Sequence, residues 1–186
     1  MNRASAIFLN GTSSSGKTTL ATAFQQAMEE PTLYVSNDKF IFMTPDHVLK
    51  DNQLRPQVLL PLLSAFHRSL PLIAGCGFPM IIDHVIERRD WMDEIAEALD
   101  GISVYFIKVS CPLEELEKRE KARGDRQIGF AKMQLGLVHS FCDYDAEVDT
   151  FASTIDQNVA FLKELLYSGK QPHALSTYRK KRQARL

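Results

Sequence analysis

The chain has 186 residues, of which 45% are hydrophobic and 24% are charged. That length suits one domain with a sizeable core, and the composition excludes disordered, collagen-like and coiled-coil proteins. The formal net charge of −1 hides an asymmetry, because the segment after Ser168 carries six basic and no acidic residues and leaves a charge of −7 on the rest. We therefore expect an acidic domain over residues 1–168 and a basic C-terminal tail over residues 169–186, either flexible or packed on the domain or a neighbouring subunit.

The apolar runs and the cysteines favour a cytoplasmic protein. The longest mostly apolar run, residues 58–66, is far shorter than the ~20 residues that a membrane-spanning helix needs. The N-terminal run at residues 4–9 is too short for a signal peptide. The three cysteines lack CxxC spacing, which is typical of free thiols in a reducing compartment. We expect neither a membrane nor a nucleic-acid partner, since a nucleic-acid-binding role would rest on the basic tail alone.

Strand-like and helix-like patterns alternate along the chain. Apolar, β-branched or aromatic runs predict strands over residues 5–9, 32–36, 80–83 and 102–109. Helical patterns follow them over about residues 17–29, 57–74 and 88–99, and Pro112 opens a charged helix. A capping box at Thr154 and Gln157 begins a further helix with apolar residues at helical spacing. The alternation predicts an α/β domain built on a parallel sheet.

A glycine-rich loop joins the first predicted strand to the first predicted helix. Residues 11–18 fit the pattern G-x-x-x-x-G-K-[ST], whose backbone N–H groups cradle phosphates at a helix N-terminus. Lys17 can reach the β and γ phosphates, and the Thr18 hydroxyl can hold Mg²⁺. A Ser/Gly-rich surface turn is the alternative interpretation. The predicted nucleotide-binding residues are Gly11, Thr12, Ser13, Ser14, Ser15, Gly16, Lys17, Thr18 and Thr19.

Two aspartates follow predicted strands, at the sheet edge where the loop also lies. Asp38 comes just after the second strand and is the candidate general base for an acceptor hydroxyl. Asp83 follows Ile81-Ile82 like a Walker B acid, and we expect it to bind Mg²⁺ together with Thr18. An ordinary helix cap for Asp38 and a loop cap for Asp83 are the alternatives. His84 is either part of an acceptor pocket or a structural histidine.

Three arginines predict one basic face on the charged helix. Arg119, Arg123 and Arg126 stand at i, i+4 and i+7, which places them together on a helix. They would clamp phosphate oxygens from a closing lid, with Arg123 and Arg126 as the preferred catalytic candidates beside Asp38 and Lys17. A solvated charged helix is the alternative, since glutamates lie beside the arginines. The alternating acids at residues 143–149 do not fit an EF-hand loop, and we expect them to form a solvated or rim-lining acidic face.

Taken in order, these residues resemble the chloramphenicol phosphotransferase-like P-loop kinases. The resemblance rests on residues 8–17, Asp38, residues 81–83 and above all a block from Arg119 to Thr150, which includes Gly129, Gln134 and His139. It covers roughly residues 6–168 and implies a nucleoside-monophosphate-kinase-like P-loop NTPase fold, with a five-stranded parallel sheet flanked by helices and an arginine-bearing lid. It also implies Asp38 as the base, Arg123 and Arg126 near the phosphates, and Lys17 and Thr18 on ATP and Mg²⁺.

The resemblance implies a phosphotransferase that moves the γ-phosphoryl group of ATP to a hydroxyl of a small molecule, chloramphenicol or a similar compound, and so a link to antibiotic resistance. His84 stands where a second Asp is expected, and residues 39–42 and 45–71 do not match the family, so the acceptor does not carry over. A kinase of a metabolite, sugar or nucleotide is the alternative enzyme, and a non-catalytic nucleotide-binding regulatory protein is the alternative from another class. The absence of an Asn/Thr-Lys-x-Asp motif favours ATP over GTP, and the sequence leaves a homo-oligomer open.

Overall fold

A five-stranded parallel sheet forms the centre of the computed structural model, which describes residues 4–123, 129–141 and 143–185. The strand order is β2-β3-β1-β4-β5, and β1 pairs in parallel with both β3 and β4. This sheet confirms the predicted fold class. The strands are β1 (Ala6–Asn10), β2 (Leu33–Ser36), β3 (Met80–His84), β4 (Val104–Ser110) and β5 (Ala146–Asp149).

Helices cover both faces of the sheet. The predicted capping box is present at the start of α8, where the Thr154 side chain accepts from the Gln157 backbone and the Gln157 side chain accepts from the Thr154 backbone. Of the three arginines, Arg119 and Arg123 belong to α6, and Arg126 lies outside the described residues. The helices are α1 (Lys17–Ala27), α2 (Asn37–Ile41), α3 (Asp46–Lys50), α4 (Leu54–Ala74), α5 (Arg89–Ala98), α6 (Leu113–Arg123), α7 (Phe130–Val138), α8 (Ile155–Tyr167) and α9 (Ala174–Gln183).

The core divides into two layers because successive strand side chains point to opposite faces. In β1, Ile7 and Leu9 join the cluster beneath α1 and α8, whereas Phe8 joins the cluster beneath α4, α5 and α9. All five residues of β1 and of β3 are buried, which is why these strands are almost continuously apolar rather than alternating. The C-terminal ends of these buried strands therefore lie at the edge of the sheet that carries the loop between β1 and α1.

Helix α4 is the one helix in the described ranges that is long and apolar enough, by length and composition, to cross a membrane, and most of its apolar stretch is not buried. Its Leu63, Phe66 and Leu70 are at most 4% exposed and belong to the core. The helix begins three residues before the predicted start and accommodates Pro61 and Pro71. These buried residues of α4 therefore cover part of one face of the sheet.

Helix α9 carries most of the basic C-terminal segment. Leu175 and Tyr178 are buried in the core. Basic side chains of the helix meet acidic groups of the body at 2.7–3.4 Å in three ion pairs, Arg179–Asp100, Lys181–Asp143 and Arg182–Asp93. The positive charge of residues 174–183 thus lies against the acidic surface of the domain.

Candidate active site

The loop between β1 and α1 has the backbone shape of a phosphate cradle. Gly16 has a φ of 86° and Ser14 a φ of 61°, both in the left-handed region that favours glycine. A side chain at Gly11 would place its Cβ 2.5 Å from the Val109 carbonyl oxygen, so only glycine fits there. These positions explain the glycine spacing of the motif, because they allow consecutive N–H groups to converge at the start of α1.

Polar groups of this loop suit an anionic ligand. The Lys17 side chain lies within the loop, where its ammonium group donates to the Thr12 carbonyl over 2.7 Å. The hydroxyls of Ser14 and Ser15 are buried, and the described part of the chain offers neither of them a hydrogen-bond partner. Since buried polar atoms without partners are costly, a phosphate group fits the donors that this loop holds.

A carboxylate and a hydroxyl meet beside the loop. The Thr18 hydroxyl donates to Asp83 Oδ2 over 2.7 Å, and the Tyr34 hydroxyl donates to the same oxygen over 3.1 Å. Burial, followed by the negative charge of Asp83, raises the pKa of Tyr34 to about 12, so the phenol keeps its proton and remains a donor. No group of three or more His, Cys, Asp or Glu residues that could hold a metal occurs in the described ranges. A cation here would use Thr18, Asp83 and oxygens of the nucleotide.

One cavity of about 320 Å³ connects the phosphate loop with both predicted aspartates. Asp38 stands in the first turn of α2, where its backbone N–H donates to the Ser36 hydroxyl over 3.2 Å. Of the predicted nucleotide-binding residues, Gly11, Thr12 and Ser15 are buried beneath the loop and do not line the cavity. The cavity is lined by Ser13, Ser14, Gly16, Lys17, Thr18, Thr19, Leu20, Asn37, Asp38, Asp83, Val85, Arg119, Thr150, Ser153, Ile155 and Asn158.

Arg119 is an arginine of the predicted lid segment that lines the cavity in the described part of the chain. Its guanidinium donates to the Thr150 hydroxyl and to the Thr150 carbonyl, each over 3.2 Å. The Thr150 hydroxyl in turn donates to the Ser15 carbonyl over 2.6 Å. The side chain of Arg123 and the whole of Arg126 lie outside the described residues, so their predicted role stays a prediction.

His84 belongs to a buried histidine pair rather than to the wall of the cavity. Its Nε2 lies 3.0 Å from Nε2 of His67, and Nδ1 of His67 lies 2.7 Å from a carboxylate oxygen of Glu94. Both rings are fully buried, and Trp91 stacks on His84. Burial holds the pKa of His84 well below its usual value, and it also lowers the pKa of His67. The structural interpretation of His84 is the one that this environment supports.

Sequence reasoning gave no role to several polar residues that organise the site. The sequence pattern places Tyr34 in a strand and gives no sign that its phenol contacts Asp83. Asn10 and Gln134 lie within the segments that carry the family resemblance, and both are buried in hydrogen bonds next to the loop. Their position in those segments is the signal of a role that the sequence offers. The sequence does not identify the groups that they contact, because those groups are more than 120 residues away along the chain.

The chain matches the family model described as "Chloramphenicol phosphotransferase-like protein" over residues 4–166. The chain belongs to this family. A curated relative from Mycobacterium tuberculosis strain H37Rv, named "Putative O-phosphotransferase Rv2636", is 30% identical, with 94% of this chain and 88% of the relative covered. The family and fold therefore place the chain among P-loop kinases and phosphotransferases.

Solved structures of low sequence identity share the fold of this family member. The Mycobacterium tuberculosis APS kinase CysC has a TM-score of 0.67 at 18% identity, with 89% of this chain and 99% of that chain covered. A gluconokinase from Sinorhizobium meliloti 1021 has a TM-score of 0.62 at 18% identity, with 92% and 100% covered. The shikimate kinase from Acinetobacter baumannii has a TM-score of 0.58 at 12% identity, with 90% and 95% covered.

Proposed function

We propose that the protein transfers the γ-phosphoryl group of ATP to a hydroxyl of a small molecule. The observation that supports this most directly is that one cavity contacts the phosphate loop, the Thr18–Asp83 pair and Asp38. Phosphoryl transfer needs positioning and charge neutralisation more than covalent chemistry, and these three elements supply both. A regulatory protein that only binds nucleotide does not need a second carboxylate, Asp38, in the same cavity as the phosphate loop.

Each part of the cavity has a task in this reaction. The loop N–H groups and Lys17 would hold the β and γ phosphates, while Thr18 and Asp83 would hold Mg²⁺, which neutralises phosphate charge when bound. The acceptor hydroxyl would give its proton to Asp38 as its oxygen bonds to the γ-phosphorus. The bond from that phosphorus to the β–γ bridging oxygen breaks at the same time, and ADP leaves.

The nucleoside would occupy the part of the cavity lined by Arg119, Thr150, Ser153 and Asn158. Arg119 is held there by Thr150, so its guanidinium would be available to the nucleotide. Arg123 and Arg126 would add positive charge to the phosphates from the same segment. The acceptor would then enter from the side of Asn37, Asp38 and Val85.

The proposal is tested by a phosphotransfer assay with Mg²⁺–ATP against chloramphenicol and a panel of sugars and metabolites that carry hydroxyl groups. Asp38→Asn removes the base while keeping the shape of the side chain, and we expect kcat to fall about 10²- to 10⁴-fold with little change in nucleotide affinity. Asp46→Asn is the matched control, because Asp46 is an exposed aspartate in the first turn of α3. Near-normal turnover by folded Asp38→Asn protein would refute the base assignment.

The choice between an enzyme and a regulatory protein comes from the same experiment. If the wild-type protein binds ATP but transfers no phosphate to any hydroxyl compound of a broad panel, the result favours the alternative of a regulatory protein that only binds nucleotide. If transfer occurs only to metabolites or sugars, the acceptor is a metabolite and the antibiotic is excluded.

A further inference from the structure

Helix α7 is fastened to β1 and the phosphate loop by two buried amides. Asn10, the last residue of β1, donates from Nδ2 to the Val138 carbonyl over 3.0 Å. Gln134, in the middle of α7, accepts the Ser13 N–H on Oε1 over 2.6 Å. Asn10 is 1% and Gln134 2% exposed, so neither amide can exchange its protein partner for water without local opening.

The same two amides also bind the segment that follows β3. Asn10 Oδ1 accepts the Ile86 N–H over 3.0 Å, and Gln134 Nε2 donates to Oε1 of Glu87. Each amide therefore uses its oxygen and its nitrogen on different elements. We call the set of Asn10, Gln134 and Glu87 the amide clasp.

The amide clasp connects two segments that line the cavity. Ser13 lines the cavity at the phosphate loop, and Val85, two residues before Glu87, lines it after β3. The start of α7 is fixed as well, because the Glu120 carboxylate accepts the N–H groups of Gly129 and Ala131 over 2.7 and 3.0 Å. A buried acid of α6 thus holds the helix that carries Gln134, unlike a glutamate of the solvated helix that was the alternative interpretation of this segment.

We propose that Gln134 is a positioning residue that sets the conformation of the phosphate loop, and thereby the affinity for nucleotide, by bridging Ser13 and Glu87. The inference deepens the proposed function, since it assumes that the loop binds a nucleoside triphosphate. Gln134 does not line the cavity, so it acts through Ser13 rather than on the ligand. Because the Gln134 side chain makes hydrogen bonds with both Ser13 and Glu87, a change in its hydrogen bond with Glu87 alters its hydrogen bond with the loop.

The decisive test exchanges the hydrogen-bonding roles of the two partners. Gln134→Glu keeps an acceptor for the Ser13 N–H but places a carboxylate against Glu87, whereas Glu87→Gln alone keeps an acceptor for the Gln134 amide. In the double variant, the amide at position 87 can donate to the carboxylate at position 134, so the bridge is restored with its polarity reversed. Residues in one hydrogen-bond network couple by amounts that correspond to about tenfold in binding.

Binding of a fluorescent ATP analogue with Mg²⁺ is the readout, together with urea unfolding of each variant. We expect Gln134→Glu to weaken binding about tenfold or more, Glu87→Gln to weaken it less, and the double variant to return close to wild type. The loss in Gln134→Glu should shrink as the pH falls toward the carboxyl range, because one proton shared by the two carboxyls removes their repulsion. Asn10→Asp, which keeps the acceptor for Ile86 but loses the donor for Val138, should also weaken binding.

Gln26→Leu, on the exposed side of α1, is the matched control and should bind the analogue like wild type. Wild-type affinity in folded Gln134→Glu, or a double variant as weak as that single variant, would overturn the inference. Failure of the wild-type protein itself to bind the analogue would instead refute the proposed function, so the two failures are distinguishable.

Discussion

Acidification should destabilise this protein through its buried histidine pair. His67 and His84 face each other through their Nε2 atoms at 3.0 Å, and only one of the two nitrogens can donate. If Glu94 accepts from Nδ1 of His67, the His84 Nε2 donates to His67 and both rings are neutral. A proton added to His67 would place two donors against each other at the facing Nε2 atoms, and a proton added to His84 would sit on Nδ1, which is buried with no hydrogen-bond partner among the described residues.

The sign and size of the effect follow from the lowered pKa of His84. The unfolded chain takes up a proton near pH 6.5, whereas the folded protein resists it until the pH falls much lower. Neutral His84 therefore makes its full contribution to the free energy of unfolding above pH 6.5. That contribution is lost progressively as the pH falls below 6.5 toward the lowered pKa of the folded protein. At about 1.4 kcal/mol per pH unit, His84 alone accounts for a loss of up to about 2 kcal/mol between neutral pH and pH 5.

Urea unfolding at several pH values between 7.5 and 5 measures this loss. His84→Gln removes the titrating ring, so the difference in the free energy of unfolding between wild type and variant should narrow by up to about 2 kcal/mol as the pH falls. His47→Gln, a change at an exposed position, is the control and should keep the wild-type pH profile. A pH profile of His84→Gln that runs parallel to wild type would refute the reasoning.

Three further changes test other parts of the structure. Lys17→Met should lower kcat about 10²- to 10³-fold, because the charge on the γ-phosphoryl group loses its fixed cation, and steady-state kinetics measures it. Asp83→Asn should raise the Mg²⁺ concentration for half-maximal stabilisation by a bound ATP analogue about 10- to 100-fold, seen in thermal shift. Phe66→Ala should cost about 3–5 kcal/mol of unfolding free energy in urea, because Phe66 is fully buried against Phe40 and His84.

The sheet and the phosphate loop could be predicted because their signals are local. A parallel strand buried on both faces must be apolar throughout, as β1 is, and the loop needs glycine at fixed spacing for its left-handed backbone. The position of β5 was harder to predict, because it has only four residues and Val148 is the one that is buried. The acidic residues beside Val148 indicate a solvated surface, and that pattern does not by itself predict a strand.

The connections around the cavity could not be predicted from single segments of sequence. Nothing local in Glu120 indicates that it accepts from the start of α7, since its neighbours make a charged helix. Likewise, helical spacing places Arg119 on one face with Arg123 and Arg126, whereas the contact of Arg119 with Thr150 depends on how α6 meets the end of β5. Long-range packing decides these contacts, and periodicity carries no information about it.

The carboxylate of Asp145 links the last helix to the sheet. Its two oxygens accept the N–H of Phe106 on β4 and the N–H groups of His173 and Ala174 at the start of α9, over 2.7–2.9 Å. The preceding residue, Tyr144, accepts from Asn10 at the end of β1. Helix α9 and the sheet edge next to the loop should therefore open as one cooperative unit. Their backbone amides should share a single free energy of opening in native-state hydrogen exchange.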